Sequence, residues 1–365
     1  MKQLLFVTVL LLAAFTAHTQ PNGKAVLVEK ITSAGCPGCA WGGYMLDSLQ
    51  DNFSNVYTVA IHRADNAHPD SMASADGDAI LSEYLWAHPT AMVDRVLWSD
   101  FPRIPLTTSQ WFAKVTQRFQ DPVAATVGAT TQYNAQTRSL SVTVNGFVLW
   151  DMGLDLRVNA YIVEDSVTGM GPGYDQLNGN NNSPTSPLFG LGNPIVGYVH
   201  RNVLRDMLGG PLGQDGVIPN PVTAGSSFSH TFTTTLDADW NADNIHVLVL
   251  VQKHNPDFEQ RQIFNVNRVE LNGSVLASTL EQNSQPLTRT FTLGPNPAGQ
   301  TSRLLLPDYD EWRIDLIGTT GEVHRRYRVL GEELTIDRGN LSDGMYLLRI
   351  RRPQYRDKIM RIVFF

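Results

Sequence analysis

The sequence predicts a multidomain chain, an α/β unit followed by all-β segments that form a central β-sandwich and a small C-terminal β-sandwich. Three observations carry that expectation. Between Lys24 and Phe119, apolar β-type runs alternate with segments whose apolar residues recur at helical spacing. After Pro122 the texture changes to β-branched runs separated by turn residues. From Pro286 onward, short strand-like runs are punctuated by Gly and Pro, and the charge balance reverses.

The first twenty residues, MKQLLFVTVLLLAAFTAHTQ, hold one cation, Lys2, then an apolar run from Leu4 to Phe15, then small residues at Ala17 and Thr19. That is the pattern of a secretory signal peptide over residues 1–19, cleaved after Thr19. The apolar run is shorter than the roughly 18 to 20 residues of a spanning helix, and no other segment is a transmembrane candidate. The expected location is outside the cytosol, where disulfides persist.

Residues 20–121 read as the α/β unit. Strands are expected over Ala25–Ile31, Val56–His62 and Thr90–Val96. Helices are expected over Ala40–Asn52, with Met45, Leu46 and Leu49 on one face, over Gly77–Leu85, and over Gln110–Phe119, capped by Ser109 and stopped by Asp121-Pro122. Residues 122–272 read as the β-sandwich, with strands over Ala124–Thr130, Ser139–Leu149, Leu154–Val163, Phe228–Leu236, Ile245–Gln252 and Ile263–Leu271. Within it, Gly169–Pro194 reads as a long surface loop and Tyr198–Leu208 as a helix. Residues 273–285 are small and polar, a linker, and residues 286–365 form the last module.

The composition, 42% hydrophobic and 17% charged over 365 residues, is that of a globular chain with cores to bury. The net charge of −7 hides an asymmetry: residues 286–365 carry 13 Lys+Arg, 12 of them Arg, against 10 Asp+Glu, and the remainder carries 15 against 25. The arginines alternate with acids instead of forming a basic stripe, which argues against a nucleic-acid partner. No Gly-x-Ser-x-Gly, His-Glu-x-x-His or Gly-x-x-x-x-Gly-Lys motif is present, which weakens hydrolase and nucleotide-binding readings. Asp237, Asp239, Asn241 and Asp243 alternate like calcium ligands, but Ala242 and Leu248 stand where an EF-hand needs Gly and Glu, so a polar turn is expected there. His200 reads as a packed or hydrogen-bonded histidine. No cofactor is expected.

The chemistry concentrates in SAGCPGCAWGG, residues 33–43, which holds the only two cysteines, Cys36 and Cys39. Such a pair is a redox couple, half of a metal site, or a structural clip. No second pair completes a four-cysteine zinc site, and a set drawn from Cys36, Cys39, His62 and His68 is disfavoured by their expected separation, so no metal is expected. The pair lies where a strand gives way to a helix, whose unpaired amides and positive dipole end favour a thiolate. Cys36, the more exposed, is expected as nucleophile, and Cys39, one turn in, as the resolving thiol. Further on, His88-Pro89-Thr90 sets a proline immediately before the third strand.

With these residues in hand, Lys24–Phe119 resembles a thioredoxin-like domain: Cys36 and Cys39 match its redox pair and Pro89 its cis-proline, with His88 beside it. The resemblance implies that Cys36 attacks a partner protein's disulfide, that Cys39 resolves the mixed disulfide, and that Pro89 and the His88 backbone shape a peptide-binding edge. The chain departs from the pattern in its Pro-Gly dipeptide and in Trp41, which follows the pair. Glu29 is only an approximate match for the buried acid, and the segment after Thr90 is short for a hairpin. TSAGCPGCAWGG, VAIHRAD, GYVHRNVLRDMLGGPLG, VLVLVQ and FNVNRVEL together resemble the outer-membrane-protein-28-related family of exported Bacteroidota proteins over about residues 24–275. That family implies an architecture and no defined reaction.

At the end of the chain, Pro295-Asn296-Pro297, IDLIGTTGEV (314–323), LSDGMYLLRI (341–350) and the run from Lys358 to Val363 resemble, in order, a type A sorting domain. The resemblance implies passage through the periplasm and export by the type IX secretion machinery to the cell surface or beyond. Two functions stay open: a thiol-disulfide oxidoreductase, and a non-catalytic surface binding or adhesion protein with an unknown ligand in which Cys36–Cys39 is a structural disulfide.

Overall fold

A computed structural model describes residues 18–19, 24–64, 68–276, 291–318, 323–351 and 358–365. The expected signal peptide up to residue 17, the linker after Leu276, and residues 319–322 of the IDLIGTTGEV motif lie outside the described residues. No described helix is long and apolar enough to cross a membrane.

The chain is α/β at its start and β-rich thereafter. In order run β1 (His18–Thr19), β2 (Val26–Thr32), α1 (Cys39–Asn52), β3 (Val56–His62), α2 (Ala75–Tyr84), β4 (Thr90–Val93) and α3 (Trp111–Arg118). Then come β5 (Ala125–Asn134), β6 (Ser139–Val148), β7 (Asp155–Glu164), β8 (Val203–Met207), β9 (Ser227–Thr235), β10 (Ile245–His254), β11 (Ile263–Glu270) and β12 (Ser274–Leu276). The last are β13 (Thr292–Gly294), β14 (Thr301–Ile317), β15 (Val323–Asp337), β16 (Gly344–Arg351) and β17 (Lys358–Phe364).

β2 is buried along its whole length, because both faces of its sheet are covered. Val26 and Val28 pack with Leu46 and Leu49 of α1 and Trp111 of α3, whereas Leu27 and Ile31 pack with Ile80, Leu81 and Tyr84 of α2. α2 starts where Ser74 accepts a hydrogen bond from the Gly77 amide at 3.2 Å, with Asp76 and Asp78 in the first turn facing the positive dipole end. Ser109 does not cap α3; it sits in a 3-10 turn, Thr108–Gln110, that leads into the helix.

The sheet does not stop at residue 121. Its order is β11-β10-β7-β8-β3-β2-β4, so four strands from the later segment extend the three from the first. β7 and β10 turn their other face to a second sheet, β1-β12-β5-β6-β9, across a core of Val127, Val142, Val158, Ile162, Phe232 and Val249. A third sheet, β13 to β17, has its own core around Leu304, Trp312, Ile314 and Phe364.

One expected element changes class. The helix expected over Tyr198–Leu208 is the strand β8, antiparallel to β7 and parallel to β3. β7 pairs with four of its positions, β3 with Val203, and Asp76 accepts from the Met207 amide; that tertiary demand overrides a local helical spacing. The third strand also ends early, at Val93, because Asp94 and Arg95 adopt left-handed backbone angles (φ 48° and 51°).

That turn places two buried ionic groups at the seam between the α/β strands and the later ones. Arg95 donates from Nε and Nη2 to Glu29 at 2.7 and 2.6 Å, and from Nη2 to the Tyr161 hydroxyl of β7 at 2.9 Å. Asp94 accepts from Lys24 and from Arg118 at 2.7 Å each, and Arg118 also donates to the Ile263 carbonyl of β11 at 2.8 Å.

Removing one member of a fully buried pair leaves the other charge without compensation. Arg95→Ala should therefore lower the unfolding free energy by about 3–5 kcal/mol. The apolar double variant Glu29→Leu/Arg95→Met should be the more stable of the two. Denaturant unfolding of both checks this; a double variant less stable than the single one would contradict it.

Candidate functional site

Cys36 lies in the turn that follows β2, and α1 begins at Cys39 with Gly38 in the cap position. The Cys39 amide donates to the Cys36 carbonyl at 3.1 Å, and this turn brings the two Cα atoms to 5.3 Å and the sulfurs into a disulfide. Both residues are buried, Cys36 with 2% and Cys39 with 1% of its surface exposed. Both are closed to solvent, so exposure does not single out Cys36 as the attacking sulfur.

Two segments close over the pair. The first is the His88-Pro89 loop, whose peptide bond is cis. The His88 carbonyl lies 3.6 Å from Cys36 Sγ, and His88 Nδ1 lies 4.0 Å from Cys39 Sγ. Pro89 reaches α1 because Gly38 and Gly42 have no Cβ: one at Gly42 would stand 2.8 Å from Pro89 Cβ, and one at Gly38 3.0 Å from Pro89 Cδ. His88, Pro89 and both cysteines are therefore brought together.

The second segment was not legible as part of the site. The stretch expected as a surface loop folds back as a strap over the motif. Gln176 Nε2 lies 3.2, 3.0 and 2.9 Å from the carbonyls of Ser33, Ala34 and Cys36. The Leu177 amide donates to Ala34 at 2.9 Å and the Gly179 amide to Pro37 at 2.7 Å. Asn178, also buried, donates to the carbonyls of Leu188 and Gly192 and accepts from the Asn180 amide. Side-chain amides here take the place of sheet or helix hydrogen bonds, which is how a Gly/Asn-rich stretch keeps a fixed shape. The density of Asn and Gln in an otherwise unstructured run was the only available signal.

Behind the motif lies a polar cluster. Asp70 accepts from the Ala34 amide at 2.8 Å, the Met72 amide at 2.9 Å and His62 Nδ1 at 2.8 Å. Burial pushes the Asp70 carboxyl up, but His62 and the two amides outweigh it and hold the pKa below the usual carboxylate value. Burial pushes His62 down against the pull of Asp70, so the neutral imidazole donates its Nδ1 proton to the carboxylate. His200 stands edge-on to His62 with ring centroids 5.2 Å apart and donates from Nε2 to the Tyr174 carbonyl at 2.7 Å; burial drives its pKa to about 3. It is the packed, hydrogen-bonded histidine expected from the sequence.

The acid expected beneath the pair is not there. Glu29 points to the α2 face of β2, where Arg95 holds it, and Lys30, one residue on, points to the α1 face. Successive strand residues face opposite ways, so a one-residue offset exchanges an acid for a base. Lys30 lies under Gly42 and Gly43, with Nζ 3.7 Å from where a Gly43 Cβ would be, beside Tyr198, whose pKa burial raises to about 12. Burial lowers the Lys30 pKa to about 8. The metal set weighed from the sequence is also dispersed: His62 belongs to Asp70 and His68 packs on Gly35. Among the described residues, the donor atoms that do converge, within 4.8 Å of one another, are those of Cys36, Cys39 and His88.

No family model matches the chain, and no curated protein matches it. Among solved structures, HBP35 of Porphyromonas gingivalis aligns over 93% of this chain and 98% of its own, with a TM-score of 0.53 at 18% identity. A protein of Agrobacterium tumefaciens aligns over 70% and 97% (TM-score 0.41, 13% identity). A domain of the outer membrane lipoprotein Omp28 from Porphyromonas gingivalis aligns over 42% and 92% (TM-score 0.25, 16% identity). The first similarity is one of fold alone, and the other two are too distant to carry an argument.

Lys30 and Lys24, both buried and both with pKa values lowered by burial to about 8, bind protons more weakly folded than unfolded. Between pH 8 and 10 the unfolded chain holds more protons, so stability should rise with pH, by about 2 kcal/mol per lysine. Lys30→Met should remove about half of that rise in urea unfolding curves taken across this window; an unchanged slope would show that Lys30 titrates normally.

Proposed function

We propose that the chain is an exported thioredoxin-like protein in which Cys36–Cys39 is a guarded thiol-disulfide couple. The observation that carries this reading is the placement of the pair at the start of α1 against the His88-Pro89 loop, with the His88 carbonyl 3.6 Å from Cys36 Sγ. In the oxidised form, a thiolate of an incoming dithiol attacks Cys36 Sγ, the disulfide breaks, and Cys39 leaves as a thiolate. The partner's second thiolate then attacks its own sulfur in the mixed disulfide and releases Cys36. The partner is oxidised by two electrons, and its two protons pass to Cys36 and Cys39. With both sulfurs buried, the attack needs the Gln176 strap to lift, which limits exchange to partners that displace it.

The alternative is a surface binding protein, a thioredoxin-like scaffold with β-sandwich modules, whose disulfide is structural. The burial of both cysteines favours it. The reduction potential decides: about −120 to −270 mV fits a couple that exchanges, and a value below about −300 mV fits a structural bond. Cys36→Ser should abolish exchange. Gln176→Ala should speed reduction by dithiothreitol roughly tenfold, because it removes buried hydrogen bonds worth about 1 kcal/mol or more that hold the strap shut. An unchanged rate would mean that the strap is no guard.

Residues 286–365 are proposed as the sorting domain that hands the chain from the periplasm to the type IX secretion machinery. Deleting them should leave the protein in the periplasm by cell fractionation. Undiminished surface display would refute the assignment.

A further inference from the structure

The convergence of Cys36, Cys39 and His88 has a use apart from electron exchange. We propose that the reduced pair and His88 Nδ1 form a binding site for one thiophilic d10 cation, Zn(II) or Cu(I). The three donor atoms lie within 4.8 Å of one another, and Nδ1 is 4.0 Å from Cys39 Sγ. With metal–sulfur bonds of about 2.3 Å and metal–nitrogen bonds of about 2.0 Å, a tetrahedral ion spans roughly 3.6 Å between sulfur and nitrogen and 3.8 Å between two sulfurs. Nδ1 is thus about 0.4 Å too far from Cys39 Sγ, and the set as a whole, bounded by 4.8 Å, has to contract by up to about 1.2 Å toward Cys36 while the sulfurs part once their bond is cut.

The surroundings favour the same ion. Two buried thiolates without a counter-charge are costly in a site this closed; with a neutral imidazole, Zn(II) brings the sum to zero and Cu(I) reduces it to a single negative charge. Thiolate and imidazole donors select Zn(II) and Cu(I) over hard cations such as Mg(II) or Ca(II). The loop that carries His88 is tied down by Thr90 Oγ1, which donates to the Ala87 carbonyl at 2.9 Å. Three donors complete a trigonal Cu(I) site and leave Zn(II) one open position.

The steps balance. A dithiol reductant gives two electrons and two protons to the disulfide and closes its own disulfide; the cation then displaces the two thiol protons to solvent. Loading consumes the thiolates that exchange would use, so the metal-bound form is silent toward disulfides. The site requires only that the pair be reducible, so it stands apart from the redox reading.

The test uses the full chain, reduced with a phosphine that is then removed under anaerobic conditions. Zn(II) is titrated in competition with a chromophoric chelator, and Cu(I) against a bicinchoninate. The reduced chain should bind one equivalent of at least one of them, the oxidised chain none, and the tighter ion identifies the native class. Mutating a mere outer-shell partner costs 10–100-fold in affinity, so losing the His88 ligand in His88→Ala should cost about a hundredfold or more. His88→Gln, which keeps the bulk, should fall likewise and guards against a packing artefact. X-ray absorption of the loaded wild type, which needs no variant, should resolve two sulfurs and one imidazole. The proposal is overturned by a reduced chain that binds no better than the oxidised one, or by a coordination shell without imidazole. Exchange assays on metal-free protein address the redox reading separately, so either proposal can fail alone.

Discussion

The architecture depends on the five-residue strand β8. It pairs with β7 on one side and β3 on the other, and without it the seven-stranded sheet would part between the α/β strands and the later β strands. Its entry is fixed by the Ala60 amide donating to the Asn202 carbonyl at 2.7 Å, and by Asn202 Nδ2 donating to Thr58 and Gln50. Asn202 itself sits at a positive φ of 53°, a conformation asparagine tolerates better than most residues. Because the chain leaves the sheet at Glu164 and rejoins it at Val203, both ends of the intervening stretch are anchored on adjacent strands. That anchoring lets the stretch lie as a strap over Cys36.

The strap and the His88-Pro89 loop make the disulfide an interior feature. Each approach depends on small local permissions: glycines at 38 and 42 for Pro89, and a second acceptor position for Gln176 on the backbone carbonyls at 33, 34 and 36, each of which also accepts a backbone amide. The same geometry that excludes a bulky partner from the sulfurs gathers His88 beside them. Burial, not charge, is the largest influence on Lys30, His62, His200 and Tyr198 behind the motif. That cluster is consequently a set of mostly neutral, mutually packed groups, with Asp70 holding its charge through three donors.

Much of the local structure was legible. The apolar alternations of residues 125–164 and 227–270 correspond to strands within a few residues, and α1 and α2 fall where helical spacing put them, because in these elements one periodicity governs burial. The reading failed at Tyr198–Leu208, where a helical spacing of apolar residues belongs to a strand, and at Thr90–Val96, which Asp94 and Arg95 cut short. In both places the decisive partners, β3 and β7 for the one and Glu29 and Tyr161 for the other, are far away in sequence.

The sequence by itself determined the chemistry available: two cysteines at a strand-to-helix junction, a His-Pro dipeptide before a strand, and an alternation that demands buried sheets. These follow from residue type and spacing, which act over a turn or a strand. Only the tertiary structure decided that Glu29 faces away from the pair and Lys30 toward α1, that the Asn-rich loop is hydrogen-bonded to the backbone of the cysteine motif, and that His88 and neither His62 nor His68 stands beside the sulfurs. Each of those outcomes turns on a strand's facing or on a contact across 50 or more positions of sequence, and no local pattern encodes such a contact.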